Sequence, residues 1–373
     1  MIRSSCSHHA CFCCLTKLHC PLQVSPSKGT QVSSVCFLSK NSEGDDSLDD
    51  DDDIIFRSQQ LQSSKSRAQQ SLADHLLASC HTNGDAYLWD LQSKRIVHTF
   101  PSKAPGLAMR RVEGNKLAYQ TRDGTVSIYD VMQRQKVIQF HTGSKSFCAM
   151  AVCKGKDHIL ALPSEDKSVC TIRDLRQPAD AATQFHASGG EERHGMLMSL
   201  AMRDSIIVCG MEDGTIFFHD LRKPVSCSVK LSQNFILGLD LAPSIGGSMV
   251  AIAGMAGNAE DLQDLPEYDQ GTVAVVKCTI DPLQAKLRSR AGTCSLGGGG
   301  KPGVDVARFR PDGRIFAIGG WDKRVRLMDR SQATPLALLK GHTESVSALD
   351  WANNSLLASG DKDGIMHVWD VLI

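Results

Sequence analysis

Serine, histidine and aspartate occur together near the C-terminal end of the sequence, at Ser359, His342 and Asp363, and Trp369 follows them. These residue types can supply a nucleophile, a general base and an orienting carboxylate. A catalytic serine also needs an exposed turn of the Gly-x-Ser-x-Gly type and an oxyanion hole, and the sequence contains no such motif. The sequence therefore predicts a protein that is not an enzyme and that uses no cofactor.

A second group combines one aromatic residue with three basic residues, Trp321, Lys323, Arg324 and Arg326. Large aromatic side chains and arginines are the usual anchors of protein interfaces. We predict that these four residues form a surface for a protein partner. The alternative is that Trp321 packs against the neighbouring repeat.

Both groups belong to a pattern that recurs along the chain. The unit from Gly341 to Asp370 begins with Gly-His, ends with Trp-Asp, and contains three short apolar runs with an Asp-Gly turn before the last. Six related strand–turn–strand segments precede it, and the seven segments close at residues 90, 130, 174, 220, about 278, 329 and 370. Intervals of 40 to 58 residues are typical of propeller blades with some enlarged loops.

The repeats predict an all-β fold, a seven-bladed β-propeller with four strands in each blade. The last blade ends at Ile373 without an outer strand, and Leu18–Val24 is placed to supply it. A strand donated by the other end of the chain removes an exposed sheet edge and ties the termini together. We therefore predict a ring that is closed by an N-terminal strand.

Composition divides the chain further. Residues 1–17 are predicted to be a disordered Cys-rich leader, and residues 18–373 the propeller. Within the propeller, residues 41–70 are acidic and then rich in Ser and Gln, and we expect a disordered insertion in blade one. Residues 258–270 are predicted to be an acidic insertion in blade five. The cysteines that are scattered along apparent strands should be small buried side chains with free thiols.

Net charge and hydropathy exclude several partners. Lys+Arg and Asp+Glu both number 41, so the formal net charge is zero and the pI is about 7.2. This balance offers no general attraction to nucleic acid or to an anionic membrane surface. No apolar run reaches the roughly 18 residues of a membrane span. We therefore expect no nucleic-acid, membrane or small-molecule substrate partner, and we expect a protein of the cytoplasm and nucleus.

Over nearly its whole length the sequence resembles WD-repeat proteins. In that family, a serine, a histidine, an aspartate and a tryptophan at these spacings form a structural hydrogen-bond tetrad. The resemblance implies that the last blade carries this tetrad at His342, Ser359, Asp363 and Trp369. It also implies a partial version in blade one at Ser79, Asn83 and Trp89.

Within the WD-repeat proteins, the sequence resembles the guanine nucleotide-binding protein beta-subunit-like protein 1 family, which is related to the fungal ASTRA-associated protein. The resemblance rests on Gly29-Thr30-Gln31, on the stretch from Arg310 to Arg326, and on Pro335–Leu339. It implies a non-catalytic adaptor, a monomeric propeller within a larger complex. The implied partners are the Tel2–Tti1–Tti2 co-chaperone and the phosphatidylinositol 3-kinase-related kinases that it matures, which act in DNA-damage signalling.

Two other functions remain open. Asp174-Leu-Arg176 and Asp220-Leu-Arg222 resemble half of the Trp-Asp-x-Arg box of ubiquitin-ligase receptors, with Arg173 and His219 in place of tryptophan. A receptor of a cullin-RING ligase is therefore one alternative. A G-protein beta-like subunit is another, but such subunits begin with a helix that carries a heptad seam. Residues 1–30 contain two prolines and show no such seam.

Overall fold

The computed structural model describes residues 20–22, 30–38, 75–177, 182–190, 194–257, 272–291, 303–352 and 355–371. These residues form seven antiparallel sheets of four strands each. The inner strands of neighbouring sheets contact one another in sequence order, and the last contacts the first. The seven sheets are therefore the blades of a closed propeller, as predicted.

The strands follow the chain from the centre of each blade outwards, so that each blade has an inner, a second, a third and an outer strand. Blade one contains β2 (Val32–Phe37), β3 (Leu76–His81), β4 (Ala86–Asp90) and β5 (Arg95–Phe100). Blade two contains β6 (Gly106–Val112), β7 (Lys116–Thr121), β8 (Thr125–Asp130) and β9 (Gln135–His141). Blade three contains β10 (Ala151–Val152), β11 (Ile159–Pro163), β12 (Val169–Asp174) and β13 (Thr183–His186). Blades four and five contain β14 (Leu197–Arg203), β15 (Ile206–Met211), β16 (Thr215–Asp220), β17 (Val225–Lys230), β18 (Ile236–Leu241), β19 (Ser248–Met255), β20 (Val273–Ile280) and β21 (Leu283–Ala291). Blade six contains β22 (Val304–Phe309), β23 (Ile315–Gly320), β24 (Arg324–Asp329) and β25 (Pro335–Lys340).

Blade seven contains β26 (Val346–Trp351), β27 (Leu356–Asp361) and β28 (Met366–Asp370), and its outer strand is β1 (Cys20–Leu22) from the other end of the chain. The pairing of β1 with β28 is antiparallel, with Cys20 opposite Val368. This strand lies inside the predicted segment, so the predicted closure of the ring is confirmed. Residues 1–17, 41–70 and 258–270 lie outside the described residues. The disorder of the first two segments and the acidic insertion at 258–270 therefore stay predictions.

Tight contact between blades depends on a glycine in the second strand. A Cβ atom on Gly254, Gly319 or Gly360 would lie 2.5–2.8 Å from the valine that begins the inner strand of the next blade. Between blades two and three this place is taken by Gln120, whose amide bonds the backbone of Cys148 and Met150 at 3.2 and 2.6 Å. The inner strand of blade three, which follows these two residues, is only two residues long.

The seven blades share one orientation, which defines two faces. The turns between second and third strands and the connections between blades lie at one end, the upper face. The turns that follow the inner and third strands lie at the other end, the lower face. Within the described ranges, no helix is long and apolar enough to cross a membrane. Eight cysteines between Cys36 and Cys278 are free thiols, and seven of them are buried, as predicted.

Candidate functional site

The polar residues of blade seven form one buried network. Ser359 Oγ accepts a hydrogen bond from Trp369 Nε1 at 2.8 Å and lies 2.7 Å from His342 Nε2. His342 Nδ1 lies 2.9 Å from Asp361 Oδ2, and the other oxygen of Asp361 accepts the backbone N–H groups of Asp363 and Ile365. The network joins the loop that enters the blade to its second and third strands.

The acidic member of this network is Asp361, which corrects the prediction of Asp363. Asp363 is exposed, and its carboxylate accepts a hydrogen bond from Thr343 Oγ1 at 3.0 Å. Burial alone would raise the pKa of Asp361, but the hydrogen bonds from His342 and from two backbone N–H groups hold it below its usual range. Ser359 and Asp361 have no solvent exposure, so no substrate can reach this serine in the folded blade. The arrangement stabilises the blade.

Blade one carries a smaller version of the same network. Ser79 Oγ accepts a hydrogen bond from Trp89 Nε1 at 3.0 Å and lies 3.1 Å from His81 Nε2. The predicted third member, Asn83, bonds Asp85 in the exposed turn instead. The structural partner of Ser79 is therefore His81, at the end of the second strand, where Asp361 lies in blade seven.

The burial of His81 predicts a dependence of stability on pH. Burial lowers the pKa of His81 from 6.5 to about 4, against the weaker effects of the Thr30 backbone and of Asp85. The unfolded chain therefore binds more protons between pH 6.5 and 4, and stability is full above this range and falls as the pH drops through it. Between pH 7 and 5 we expect His81 to cost about 2 kcal/mol of unfolding free energy.

Urea unfolding at the two pH values measures this loss. His81→Gln keeps a hydrogen-bond donor for Ser79 but cannot titrate. Between pH 7 and 5, the unfolding free energy of this variant should therefore fall by about 2 kcal/mol less than that of the wild type. Identical slopes for the two proteins would contradict the assignment.

The predicted partner residues of blade six fall into different environments. Trp321 lies in the turn after β23, on the upper face, and its Nε1 donates to Asp305 at 2.5 Å. A Cβ atom on Gly303 would lie 2.4 Å from the indole ring. Trp321 therefore packs on the first residues of its own blade, which differs from the predicted alternative of a neighbouring blade, and it remains partly exposed.

Three basic residues follow Trp321. Lys323 is exposed and pairs with Glu344 at 2.8 Å, and Arg324 is partly exposed. Arg326 is completely buried and makes a two-point contact with Asp322, with N–O distances of 3.0 and 2.5 Å. Arg326 therefore cannot be part of a partner surface. Both faces of β24 are covered, since Val325 and Leu327, which point to the opposite face, are also completely buried. This corrects the prediction.

Arg176 and Arg222 each fold back onto an aspartate two residues earlier. Arg176 contacts Asp174 at 2.9 Å and Arg222 contacts Asp220 at 2.8 Å. Their side chains are 56% and 57% exposed, and both follow the third strand of their blade on the lower face. The two consecutive blades thus present the same exposed group in the same place.

The central channel is a site that the sequence did not reveal. A cavity of about 510 Å³ occupies its lower half, and all seven inner strands or the residues next to them contribute to the wall. Four charged residues of the wall, each near the lower end of its inner strand, are Arg110, Asp240, Arg308 and Asp350. One local signal was present, since each of these charged residues interrupts a short apolar strand.

The two acids of the channel lie in different surroundings. Lys154 Nζ contacts both oxygens of Asp240 at 2.7 Å, and Asp240 Oδ2 also accepts the Phe309 N–H at 2.8 Å. Burial would raise the pKa of Asp240, but Lys154 and Arg308 hold it below its usual range. Asp350 accepts the Phe37 N–H at 2.8 Å, and burial raises its pKa. Both carboxylates thereby join the inner strand of their own blade to that of the next.

Comparison with known proteins agrees with this architecture. The model of the WD domain, G-beta repeat family matches residues 294–329 and 333–370, in blades six and seven. The chain is a seven-bladed propeller whose last two blades match the WD repeat. The mouse guanine nucleotide-binding protein subunit beta-like protein 1 is 28% identical over 329 residues, which cover 81% of this chain and 89% of the mouse protein. The predicted resemblance is therefore confirmed.

A second group of relatives is similar over a shorter region. The ribosome biogenesis protein WDR12 homolog of Drosophila erecta is 35% identical over 171 residues, or 39% of this chain and 40% of that protein. The homolog of Drosophila persimilis is 34% identical over 89 residues, or 20% and 21% of the two chains. WD-repeat propellers are typically non-catalytic scaffolds for protein–protein interactions, and the similarities indicate this general role here.

Proposed function

We propose that this protein is an adaptor that assists the Tel2–Tti1–Tti2 co-chaperone in maturing and stabilising phosphatidylinositol 3-kinase-related kinases. The support is the similarity to guanine nucleotide-binding protein subunit beta-like protein 1 along most of both chains, together with the family resemblance of blade six. The protein would act in the cytoplasm and nucleus and would support the DNA-damage response. It would be a monomeric propeller inside a larger complex.

The observation that carries an adaptor role is the set of aromatic side chains on the upper face. Phe147 is 63% exposed and Phe235 is 44% exposed, each just before the inner strand of a blade. The guanidinium of Arg122 lies 3.6 Å from the centre of the Phe147 ring and holds it in place. Trp321 lies on the same face. Exposed aromatics beside arginines are the usual anchors of a protein interface.

Affinity purification tests this proposal. The wild type should recover the co-chaperone subunits and the kinases. Phe147→Ala and the double variant Trp321→Ala/Arg324→Ala should each weaken recovery, by about 2 kcal/mol or roughly 30-fold for an anchor residue. Arg176→Ala on the lower face is the matched control and should recover the same partners as the wild type. Thermal unfolding of each variant checks the fold.

Recovery of every partner by both upper-face variants would contradict the interface. Recovery of a cullin-RING ligase in place of the co-chaperone, lost in Arg176→Ala/Arg222→Ala, would support a ubiquitin-ligase receptor instead. The observation that favours this second candidate is the repeated exposed arginine on blades three and four. Capture of a G-protein gamma subunit would support the G-protein beta-like alternative.

A further inference from the structure

Two arginines of the central channel have matching positions and contacts. Arg110 lies on the inner strand of blade two and Arg308 on that of blade six. Each donates from Nη1 to the carbonyl of the residue before it, Met109 or Ala307, at 2.9 Å. The same nitrogen bonds the preceding blade, where Arg110 reaches Ser34 Oγ at 2.7 Å and Arg308 reaches the Leu239 carbonyl at 3.3 Å. Both side chains line the cavity.

These two guanidinium groups lack a carboxylate partner. Among the described residues, no carboxylate lies in ion-pair contact with Arg110 or Arg308, and both residues are partly exposed. Lys154 takes both oxygens of Asp240, and Asp350 bonds a backbone N–H. Burial and the nearby Arg308 lower the pKa of Arg110 to about 10, so it remains charged at neutral pH. The wall of the cavity therefore holds two guanidinium groups that no carboxylate contacts directly, and the charge of Asp350 acts on both of them only at longer range.

We propose that the lower half of the channel binds a small multivalent oxyanion, with phosphate or carboxylate groups, between Arg110 and Arg308. The remaining N–H groups of each guanidinium suit the paired oxygens of such a group. The cavity volume is in the range of small-molecule sites. Glu113, Lys156 and Pro311 belong to lower-face turns and line the cavity, so the ligand enters from the lower face and leaves the upper face free.

In this proposal, Asp350 weakens the binding of the oxyanion. Its negative charge lies in the same cavity as the two arginines, and it opposes the entry of an anion. Asp350→Asn keeps an oxygen that can accept the Phe37 N–H and removes the charge. This variant should therefore fold normally and bind the oxyanion more tightly than the wild type, an effect that a purely structural role of the channel charges does not produce.

Titration calorimetry with the full chain tests the proposal. The probes are pyrophosphate and citrate at constant ionic strength, with chloride as the blank. Arg110→Gln and Arg308→Gln should each weaken binding about tenfold or more, because each loses a charge-assisted contact. Arg176→Gln removes the same charge from the exposed lower face and should bind like the wild type. Preference for pyrophosphate or for citrate identifies the chemistry of the natural ligand.

Several results would overturn the site. The first is that the wild type binds neither probe at about 10 mM, which is well above a Kd of 1 mM. The second is that both arginine variants bind as the wild type does. The third is that Asp350→Asn binds more weakly than the wild type. If Arg110→Gln fails to fold, Arg308→Gln and Asp350→Asn still decide the question, since they make opposite predictions. The proposal is independent of the adaptor function, because its probes and variants do not involve the upper face.

Discussion

Replacement of Asp361 by alanine is expected to lower the free energy of unfolding by about 3–5 kcal/mol. The change removes the acceptor of three donors, His342 Nδ1 and the backbone N–H groups of Asp363 and Ile365. The side chains of His342 and Asp361 have no solvent exposure, and the two backbone hydrogen bonds are partly buried. An unsatisfied buried donor costs about 1–3 kcal/mol. Urea unfolding of the purified chain, followed by tryptophan fluorescence, measures the loss.

Asp363→Ala is the matched control for this prediction. It removes the same side chain two residues away, where the carboxylate is exposed and bonds only Thr343. We expect a loss of no more than about 0.5 kcal/mol. Asp361→Asn, which keeps an oxygen for the backbone N–H groups, should fall between the two. A larger effect for Asp363→Ala than for Asp361→Ala would restore the assignment that the sequence predicted.

Arg326→Ala is expected to be destabilising by a similar amount, about 3–5 kcal/mol. Arg326 has no solvent exposure, and the carboxylate of Asp322 is 6% exposed. Removal of the guanidinium leaves this carboxylate buried without its counter-charge. The loss is again measured by urea unfolding, and the variant should lose protein partners only because blade six unfolds.

Two further variants distinguish the effect of the buried ion pair from that of an exposed ion pair. Lys323→Ala breaks an exposed pair with Glu344 and should cost no more than about 1 kcal/mol. The double variant Arg326→Ala/Asp322→Ala leaves no unpaired charge, so it should lose less than the sum of its two single variants. If the losses of unfolding free energy of the two single variants simply add, the buried ion pair is contradicted. If Arg326→Ala is stable and selectively fails to bind a partner, Arg326 belongs to the partner surface after all.

The propeller itself was predictable because its signals are local. An Asp-Gly turn between two apolar runs fixes a hairpin from a few adjacent residues, and seven such hairpins at blade spacing leave few other folds. The closing strand was predictable from counting, since the last blade lacked an outer strand. The contact of Gln120 with the backbone of blade three was not predictable in this way, because it joins residues of different blades.

Local sequence patterns did not predict which of the two aspartates of the last blade bonds His342. Asp361 and Asp363 are two residues apart, and either could reach His342 in an extended chain. The choice depends on the residue at which β27 ends and the turn begins. Asp361 is still paired with Val346 in the sheet, whereas Asp363 lies in the turn. Strand register, which the whole blade determines, therefore decided which carboxylate is buried.

The sequence by itself determined the number of repeats, since the turn between two apolar runs is a local signal. The resemblance to WD-repeat proteins supplied three of the four members of the polar tetrad. Only the tertiary structure decided which side chains meet. Arg110 and Arg308 are far apart in the chain and lie in separate apolar strands, and closure of the ring brings both to one cavity. Arg326 resembled a surface residue for the same reason, because burial between blades depends on the neighbours that the ring supplies.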